Sequence, residues 1–291
     1  MRGRLITSQL PHLRERLTKV TVVYTDLDNT LLGPQSSIFM TPDEKYSLEP
    51  ARSLLNLIEA GVDVVLISGR NNYQLREIAR LLGLKNYVAE LGCLIFYDQG
   101  REVVTNYNYP VPEGKTLHQA IADSGAPDFL LGHFQGRLEY HTPWSSNQKC
   151  THLFRGLVDV RLANSLLAAE GFRDLRIVDN GTSRSQGNLM PLSEIRVYHL
   201  LPKDTNKASA IMVDQERRRL TQEETIALGD SLADLEMASA VGAFFLVADG
   251  VEDNAQLNGE LMTYNNAFLT TKKMGLGWAE VAGLIVPEGP I

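Results

Sequence analysis

Two aspartates two residues apart close an apolar run: Val22-Val23-Tyr24-Thr25-Asp26-Leu27-Asp28-Asn29-Thr30-Leu31-Leu32. The β-branched, apolar start of this stretch reads as a buried strand. Side chains alternate along a strand, so Asp26 and Asp28 point the same way as the chain leaves the carboxyl end of a sheet. In open α/β sheets that end is where ligands bind. Two carboxylates placed there are costly without a counter-charge, and a hard cation such as Mg²⁺ is their natural partner. One carboxylate is then available as a nucleophile and the other as an acid/base. The same letters also suit a strand running into an Asx-type turn, with Asp28 or Asn29 bonding nearby backbone. The pair alone does not separate the two.

Three further stretches put reactive side chains at the ends of strand-like runs. Residues 62–67 end in Ser68-Gly69-Arg70 and lead into helical spacing over 71–82. Such a turn offers a hydroxyl and backbone N–H groups to an anion. Residues 195–201 are followed by Pro202-Lys203-Asp204-Thr205-Asn206-Lys207, a loop and a helix start. Thr225-Ile226-Ala227-Leu228-Gly229 ends in Asp230-Ser231-Leu232-Ala233-Asp234, with two acids four apart. Each has a plain reading beside the chemical one. Ser-Gly-Arg suits a βα turn, Lys207 a solvated helix residue, and Asp230 and Asp234 an N-cap and a first-turn acid.

In this order the four stretches resemble motifs I to IV of the haloacid dehalogenase superfamily, most of whose members are phosphatases. Asp26-Leu27-Asp28-Asn29-Thr30 resembles DxDxT and Ser68 the hydroxyl of motif II. Lys207 sits where relatives reading like PKGxxKG have the motif III lysine, and Gly229 to Asp234 resembles GDxxxD. The resemblance implies a Mg²⁺-dependent phosphomonoester hydrolase. Asp26 would attack phosphorus to form an aspartyl-phosphate, and Asp28 would protonate the leaving group and then activate water. Asp26, the Asp28 carbonyl and Asp230 would hold the metal, with Asp234 fixing the metal shell or Lys207. Ser68 and Lys207 would hold the transferring oxygens, with Asn29, Gly69 and Arg70 around the phosphate.

The chain departs from the family's pattern at four places. Asn29 replaces the usual Gly after the second aspartate, a position Asn tolerates because it accepts positive φ better than most residues. Ala233-Asp234 replaces Asn-Asp. Glu90-Leu91-Gly92 stands where many Cof-type relatives have Asn-Gly, which suggests a substrate outside the commonest set. His199 stands where many relatives have Glu.

These residues need a frame to position them. The 291 residues exceed one typical domain, and 44% apolar composition is enough for a sizeable core. Helical spacing over 49–60, the run 62–67, a helix over 71–82 and a strand over 86–89 alternate. A hairpin pattern follows over 93–97 and 102–106. Helix and strand alternate again over 208–220, 225–228, 232–240 and 243–247. This is the signature of a doubly wound, Rossmann-like parallel sheet covered by helices on both faces. Between the two halves lies an inserted α+β segment. It has strand-like runs over 129–134, 137–140 and 173–178 and helical spacing over about 153–170. The expected division is an N-terminal arm or extra helix (1–19), a core half (20–106), an insertion (107–193) and a second core half (194–291). An insertion at this point resembles the second class of superfamily cap, found in Cof-type phosphatases, sucrose-phosphate phosphatase and mannosyl-3-phosphoglycerate phosphatase. The ending Gly275-Leu276-Gly277-Trp278 mildly resembles the last group's GPxGW, although a terminal-helix Trp also reads as plain core. Arg184, in the polar loop 180–188, is the candidate for reading an acidic or polyhydroxylated leaving group.

A net charge of −7 and a pI near 5.4 argue against a broad nucleic-acid surface. No run approaches the length of a membrane span, and the basic start lacks a signal peptide's apolar stretch, so Asn180-Gly181-Thr182 carries no weight as a glycosylation acceptor. Two cysteines, Cys93 and Cys150, form no disulfide framework and suit a reducing, cytoplasmic compartment. Cys150, His152, His133 and His141 have no compact zinc spacing. The expected partner is a small phosphorylated molecule, a sugar phosphate or a glycosyl-phosphoglycerate-like ester; no signal speaks to an oligomer. Two rival functions share these residues: a phosphosugar mutase of the phosphomannomutase kind, and a non-catalytic phosphosugar sensor. The presence of Asp26, Asp28, Lys207 and Asp230 together argues against the sensor.

Overall fold

The computed structural model describes residues 5–183, 187–253 and 255–287, without the side chains of His12, Asp253 and Ala255. Its strands are β1 (Val22–Thr25), β2 (Asp63–Ile67), β3 (Tyr87–Ala89), β4 (Leu94–Tyr97), β5 (Glu102–Thr105), β6 (Leu138–Tyr140), β7 (His152–Gly156), β8 (Leu175–Thr182), β9 (Arg196–Pro202), β10 (Thr225–Gly229), β11 (Ala243–Leu246) and β12 (Ala267–Leu269). Among the described residues they form two sheets, ordered β12-β11-β10-β1-β2-β3-β4-β5 and β6-β7-β9-β8.

From β12 to β3 the large sheet is parallel, and β4 and β5 add an antiparallel edge. This is the doubly wound α/β core that the alternation predicts. Its strands are buried on both faces, as a sheet with helices on either side requires. Alternate residues divide cleanly. Val23, Val64 and Leu66 pack with Leu13 of helix Ile6–Leu17, Leu54 and Leu57 of helix Glu49–Glu59, and Trp278 of helix Met274–Ile285. Val22, Tyr24, Val65 and Ile67 face Ala208 and Ile211 of helix Lys207–Arg218. The order reverses about β1, whose neighbours β2 and β10 come from opposite halves of the chain. A switch of this kind opens a crevice at the carboxyl ends of the strands.

The second sheet is antiparallel and lies with helices Leu117–Asp123, Ala126–His133 and Val160–Ala169. Three local expectations fail within it. Residues 129–133 are helical and Phe134 caps that helix, so none of the run is strand. A short apolar run fits a buried helix as well as a strand, and Gly125 and Pro127 start a helix there. The helical spacing over 153–170 divides into β7, whose five residues are all buried, and a helix that begins after the Asp159 cap. Residues 180–182 continue β8 and are not loop. β9, assigned to the second core half by the boundary at 193, is an inner strand of the small sheet, hydrogen-bonded to β7 and β8.

One close approach joins the core's two halves. Gly92 has φ +102° and its Cα faces the backbone of Asn206, so an added Cβ would lie 2.1 Å from the Asn206 carbonyl oxygen. Asn206 caps the helix that Lys207 opens, its side chain accepting from Ser209 N at 2.7 Å. Gly92→Ala should therefore cost about 1–3 kcal/mol through overpacking, beyond the left-handed strain. Gly83→Ala, at φ +72° with open space around it, should cost only that strain, about 1–2 kcal/mol. Chemical denaturation of the two variants checks the difference, and equal losses would show that contact with Asn206 contributes nothing.

Candidate active site

The Asp26 carboxylate sits just past β1, where Asp26 N donates to Leu228 O at 3.0 Å and extends the pairing with β10. Behind it, Trp278 Nε1 donates to Thr25 Oγ1 at 3.0 Å, and that hydroxyl donates to Asp26 O at 2.7 Å. Trp278 is thus core, as its plain reading holds, and also a brace for the strand end. Lys207, only 1% exposed, reaches across from the first turn of its helix. Its Nζ donates to Asp26 Oδ1 at 2.6 Å and to Asp234 Oδ1. The other Asp234 oxygen accepts from Asp230 N at 3.1 Å, Ser231 N at 3.0 Å and Ser231 Oγ at 2.6 Å. Asp234 is therefore a first-turn acid in a capping box and a partner of Lys207 at once. Asp230 accepts from Thr30 Oγ1 at 3.2 Å.

Asp26, Asp230 and Asp234 each bring one oxygen within 4.8 Å of the others. Burial, with Asp234, Asp26 and Asp249 near it, pushes the Asp230 carboxyl well above its usual range. Its residue keeps some exposed surface, but the carboxylate lies among like charges. Burial also lifts Asp26 to about 7, against the pull of Lys207, while Lys207 is pushed above its ordinary value by Asp234 and Asp26 despite its burial. These two directions oppose each other at one contact. The lysine's governs, because an ammonium facing two carboxylates keeps its proton and so favours their ionised forms. Three hard oxygen donors facing one ammonium leave a negative excess that fits a divalent cation.

Asp28 turns to a different partner. Arg70 holds its carboxylate with two bonds, Nε to Oδ2 at 2.8 Å and Nη2 to Oδ1 at 2.6 Å, and Ser36 Oγ adds a third at 2.8 Å. Burial raises the Asp28 carboxyl, but the Arg70 bonds outweigh it and hold it below the usual range. Asn29 adopts φ +60°, so the turn survives without the usual glycine. Ser68 is buried at the end of β2, its Oγ accepting from Arg70 N at 3.3 Å.

The small sheet roofs this turn. A Cβ on Gly69 would lie 2.7 Å from His199 Nε2 and 2.8 Å from Asn180 Nδ2, so β9 and β8 present two polar tips to the Ser68–Arg70 turn. The His199 ring is buried, and Thr151 Oγ1 meets its Nδ1 at 3.0 Å. Burial, Lys207 and His141 push its pKa down to about 3, so the imidazole is neutral. Glu90, fully buried, reaches from the core and accepts from Lys149 N, Cys150 N and Thr151 N at 2.8–2.9 Å.

The structure thus brings Asp26, Lys207, Asp230 and Asp234 together and sets Asp28 and Arg70 against each other. Arg184 lies outside the described residues. Among those residues His133, His141, Cys150 and His152 form no metal group, and both His152 ring nitrogens meet other atoms, Tyr140 Oη and His118 O. Ser36, Thr151 and Asn180 escape the sequence reading. Ser36 stands in an irregular loop with no pattern to mark it. Thr151 and Asn180 matter only because two strands of the small sheet pass over Gly69.

Comparison with known proteins agrees with this fold. The model of the haloacid dehalogenase-like hydrolases matches residues 23–154 and 190–267, most of the chain, and the chain belongs to that family. Two phosphoglycolate phosphatases are each 23% identical to it. The one from Staphylothermus marinus aligns over 91% of this chain and 97% of its own length, and phosphoglycolate phosphatase 1 of Saccharolobus solfataricus over 90% and 93%. Among solved structures, protein 0175 of Thermoplasma acidophilum superposes with a TM-score of 0.62 at 15% identity, covering 91% of this chain and 99% of its own. The sucrose-phosphatase of Synechocystis sp., solved with sucrose and phosphate, gives 0.59 at 17% identity, covering 92% and 98%. The cap-bearing α/β fold is shared with both.

Lys207→Met removes the cation from a buried cluster and should cost about 3–5 kcal/mol at neutral pH, as for a buried pair robbed of one partner. The sign with pH follows from Asp26. Its folded-state pKa already stands near 7, above the unfolded value, and loss of the ammonium raises it further. A carboxyl raised in the folded state favours folding while protonated and opposes it once ionised. The unfolded-state carboxyl is the same in both proteins and cancels, so the variant's deficit should grow as pH rises through about 7, where Asp26 ionises in the parent before it does in the variant, and shrink below that value. Thermal denaturation of both proteins on either side of that value checks this, and a deficit independent of pH would mean lost packing only.

Proposed function

We propose that this haloacid dehalogenase-like hydrolase is a Mg²⁺-dependent phosphatase of small phosphorylated metabolites that works through a phosphoaspartyl intermediate on Asp26. The observation that carries the reading is the meeting of Asp26 with Lys207, Asp230 and Asp234 at the carboxyl ends of β1 and β10. Phosphate esters repel anionic nucleophiles, so a carboxylate can attack only where positive charge offsets that repulsion. Asp26, Asp230 and the Asp28 carbonyl would hold Mg²⁺, which when bound neutralises charge on the phosphoryl oxygens.

The rest is work for side chains of this chain. Lys207 takes Asp26 Oδ1, orienting the carboxylate so that its second oxygen attacks phosphorus. The bond from phosphorus to the ester oxygen breaks, and Asp28 gives its proton to the departing alkoxide. Asp28 then takes a proton from water, whose oxygen attacks phosphorus and returns Asp26 to a carboxylate. Asp28 can act as the acid only when protonated, and Arg70 opposes this. A phosphoryl group bound at the Ser68–Arg70 turn competes for the same guanidinium and releases Asp28. The segment from about 107 to 193, extended by β9, covers the site and reads the leaving group. Relatives named for phosphoglycolate, and a neighbour solved with sucrose and phosphate, support a small phosphorylated acid or sugar as substrate.

Phosphate release measured with Mg²⁺ across such esters tests the reading. Chelation should abolish activity and added Mg²⁺ restore it. Asp26→Asn should eliminate both turnover and the acid-stable, hydroxylamine-labile phosphoprotein. Asp28→Asn should slow turnover by ~10²–10⁴-fold on esters with poor leaving groups and less in the first step with p-nitrophenolate. Full activity in excess chelator would defeat the metal assignment, and an isomeric sugar phosphate formed in place of free phosphate would make the protein a mutase.

A further inference from the structure

We propose that His199 and Asn180 are the specificity-determining residues of this site, and that they select a phosphate ester whose leaving group is uncharged and bears hydroxyls. The proposal rests on the phosphatase reading above and narrows its substrate class.

Placement comes first. His199 Nε2 and Asn180 Nδ2 stand against Gly69, between Ser68 and the Arg70 that holds Asp28. The two tips come from adjacent strands, since Val178 of β8 pairs with His199 of β9. On the phosphatase reading, with phosphate at the Ser68–Arg70 turn, these two tips are the cap groups set against that turn and would meet the group that leaves phosphorus. Chemistry comes second. Thr151 Oγ1 occupies Nδ1 of His199 and fixes the ring, and Glu90 in turn fixes Thr151 through its N–H at 2.9 Å. That leaves Nε2 for a ligand. The Asn180 amide makes no hydrogen bond with any described residue and is half-buried. The one open nitrogen of a neutral imidazole donates or accepts according to its tautomer, and a carboxamide does both; a hydroxyl, which also does both, can pair with either.

An anionic leaving group would need a cation here. Among the described residues, Arg70, Arg176, Arg196 and Lys207 already meet carboxylates, those of Asp28, Glu236, Asp179 and Asp26. Neither roof residue carries charge. A site built to hydrogen-bond hydroxyls leaves its own polar tips unpaired when a different group enters, and discriminates by that penalty.

The test is kcat/KM of the full chain with Mg²⁺ on three kinds of ester: polyol or sugar phosphates, the carboxylate-bearing phosphoglycolate and 3-phosphoglycerate, and p-nitrophenyl phosphate. The wild type should favour the best hydroxylated ester over both carboxylate esters by about ten-fold or more. His199→Ala and Asn180→Ala should each lower the ratio of hydroxylated ester to p-nitrophenyl phosphate by about ten-fold, mainly through KM. His199→Gln, which restores a polar tip, should recover part of the loss. Asn180→Ala guards against a folding artefact, because this side chain is half-exposed and holds nothing else in place. Preference for the carboxylate esters, or equal losses on all three kinds from Asn180→Ala, would overturn the proposal. Phosphate release from no ester at all would overturn the phosphatase reading and this proposal with it.

Discussion

A lysine with almost no exposure to water must find its counter-charges inside the protein, and much of this structure follows from where Lys207 finds them. Asp26 ends a strand in the first half of the chain, and Asp234 opens a helix in the second. The ammonium can meet both only if β1 and β10 lie side by side and its own helix starts at their carboxyl ends. That start is pinned on several sides. Asn206 caps the helix, Thr205 Oγ1 donates to Asn106 O at 2.9 Å, and Gly92 lets the Asn206 backbone press close. Charges this deep are costly to bury, and each carboxylate of the cluster accepts a bond that offsets part of that cost.

The same logic runs through the joint between the two sheets. Glu90 leaves the core in a left-handed turn, with φ +52° followed by +56° at Leu91, and its carboxylate takes three successive backbone N–H groups over 149–151. A buried carboxylate needs such donors, and peptide groups without a strand partner need an acceptor, so each resolves the other's desolvation. Thr151 carries the contact on to His199. At the other side Arg176 of β8 meets Glu236 of the core at 3.0 Å and also donates to Thr205 O at 3.3 Å. That pair is half-exposed and contributes little, so the Glu90 contact is the firmer tie. The roof is held over the Ser68–Arg70 turn by polar groups satisfied within the joint.

Much of the core was legible from letter order alone. Strands β1, β2 and β10 carry apolar residues on both faces and end in polar ones, a pattern that only a covered parallel sheet satisfies. The small sheet was less legible. Its runs are short, and an apolar stretch such as Phe129-Leu130-Leu131 suits a buried helix as well as a strand. Leu153 and Phe154 fell into apparent helical spacing because β7 is buried throughout and shows no alternation. The allegiance of β9 was invisible, because a strand's sequence does not name its hydrogen-bonding neighbours.

The sequence by itself determined where Asp26, Asp28, Ser68, Lys207, Asp230 and Asp234 stand, each at or just past a strand end or at a helix start. It also determined that Asn29 could make its turn, since positive φ is a property of the residue. Only the tertiary structure decided how these groups pair. Lys207 chose Asp26 and Asp234, Arg70 chose Asp28, and Glu90 chose the backbone of another sheet. Partners 27 to 181 residues apart in the chain are selected by burial and charge once the fold has brought them together. The roof of His199 and Asn180 belongs wholly to that second kind. Nothing in either residue's neighbourhood along the chain points to Gly69, and only the packing of one sheet on the other puts them there.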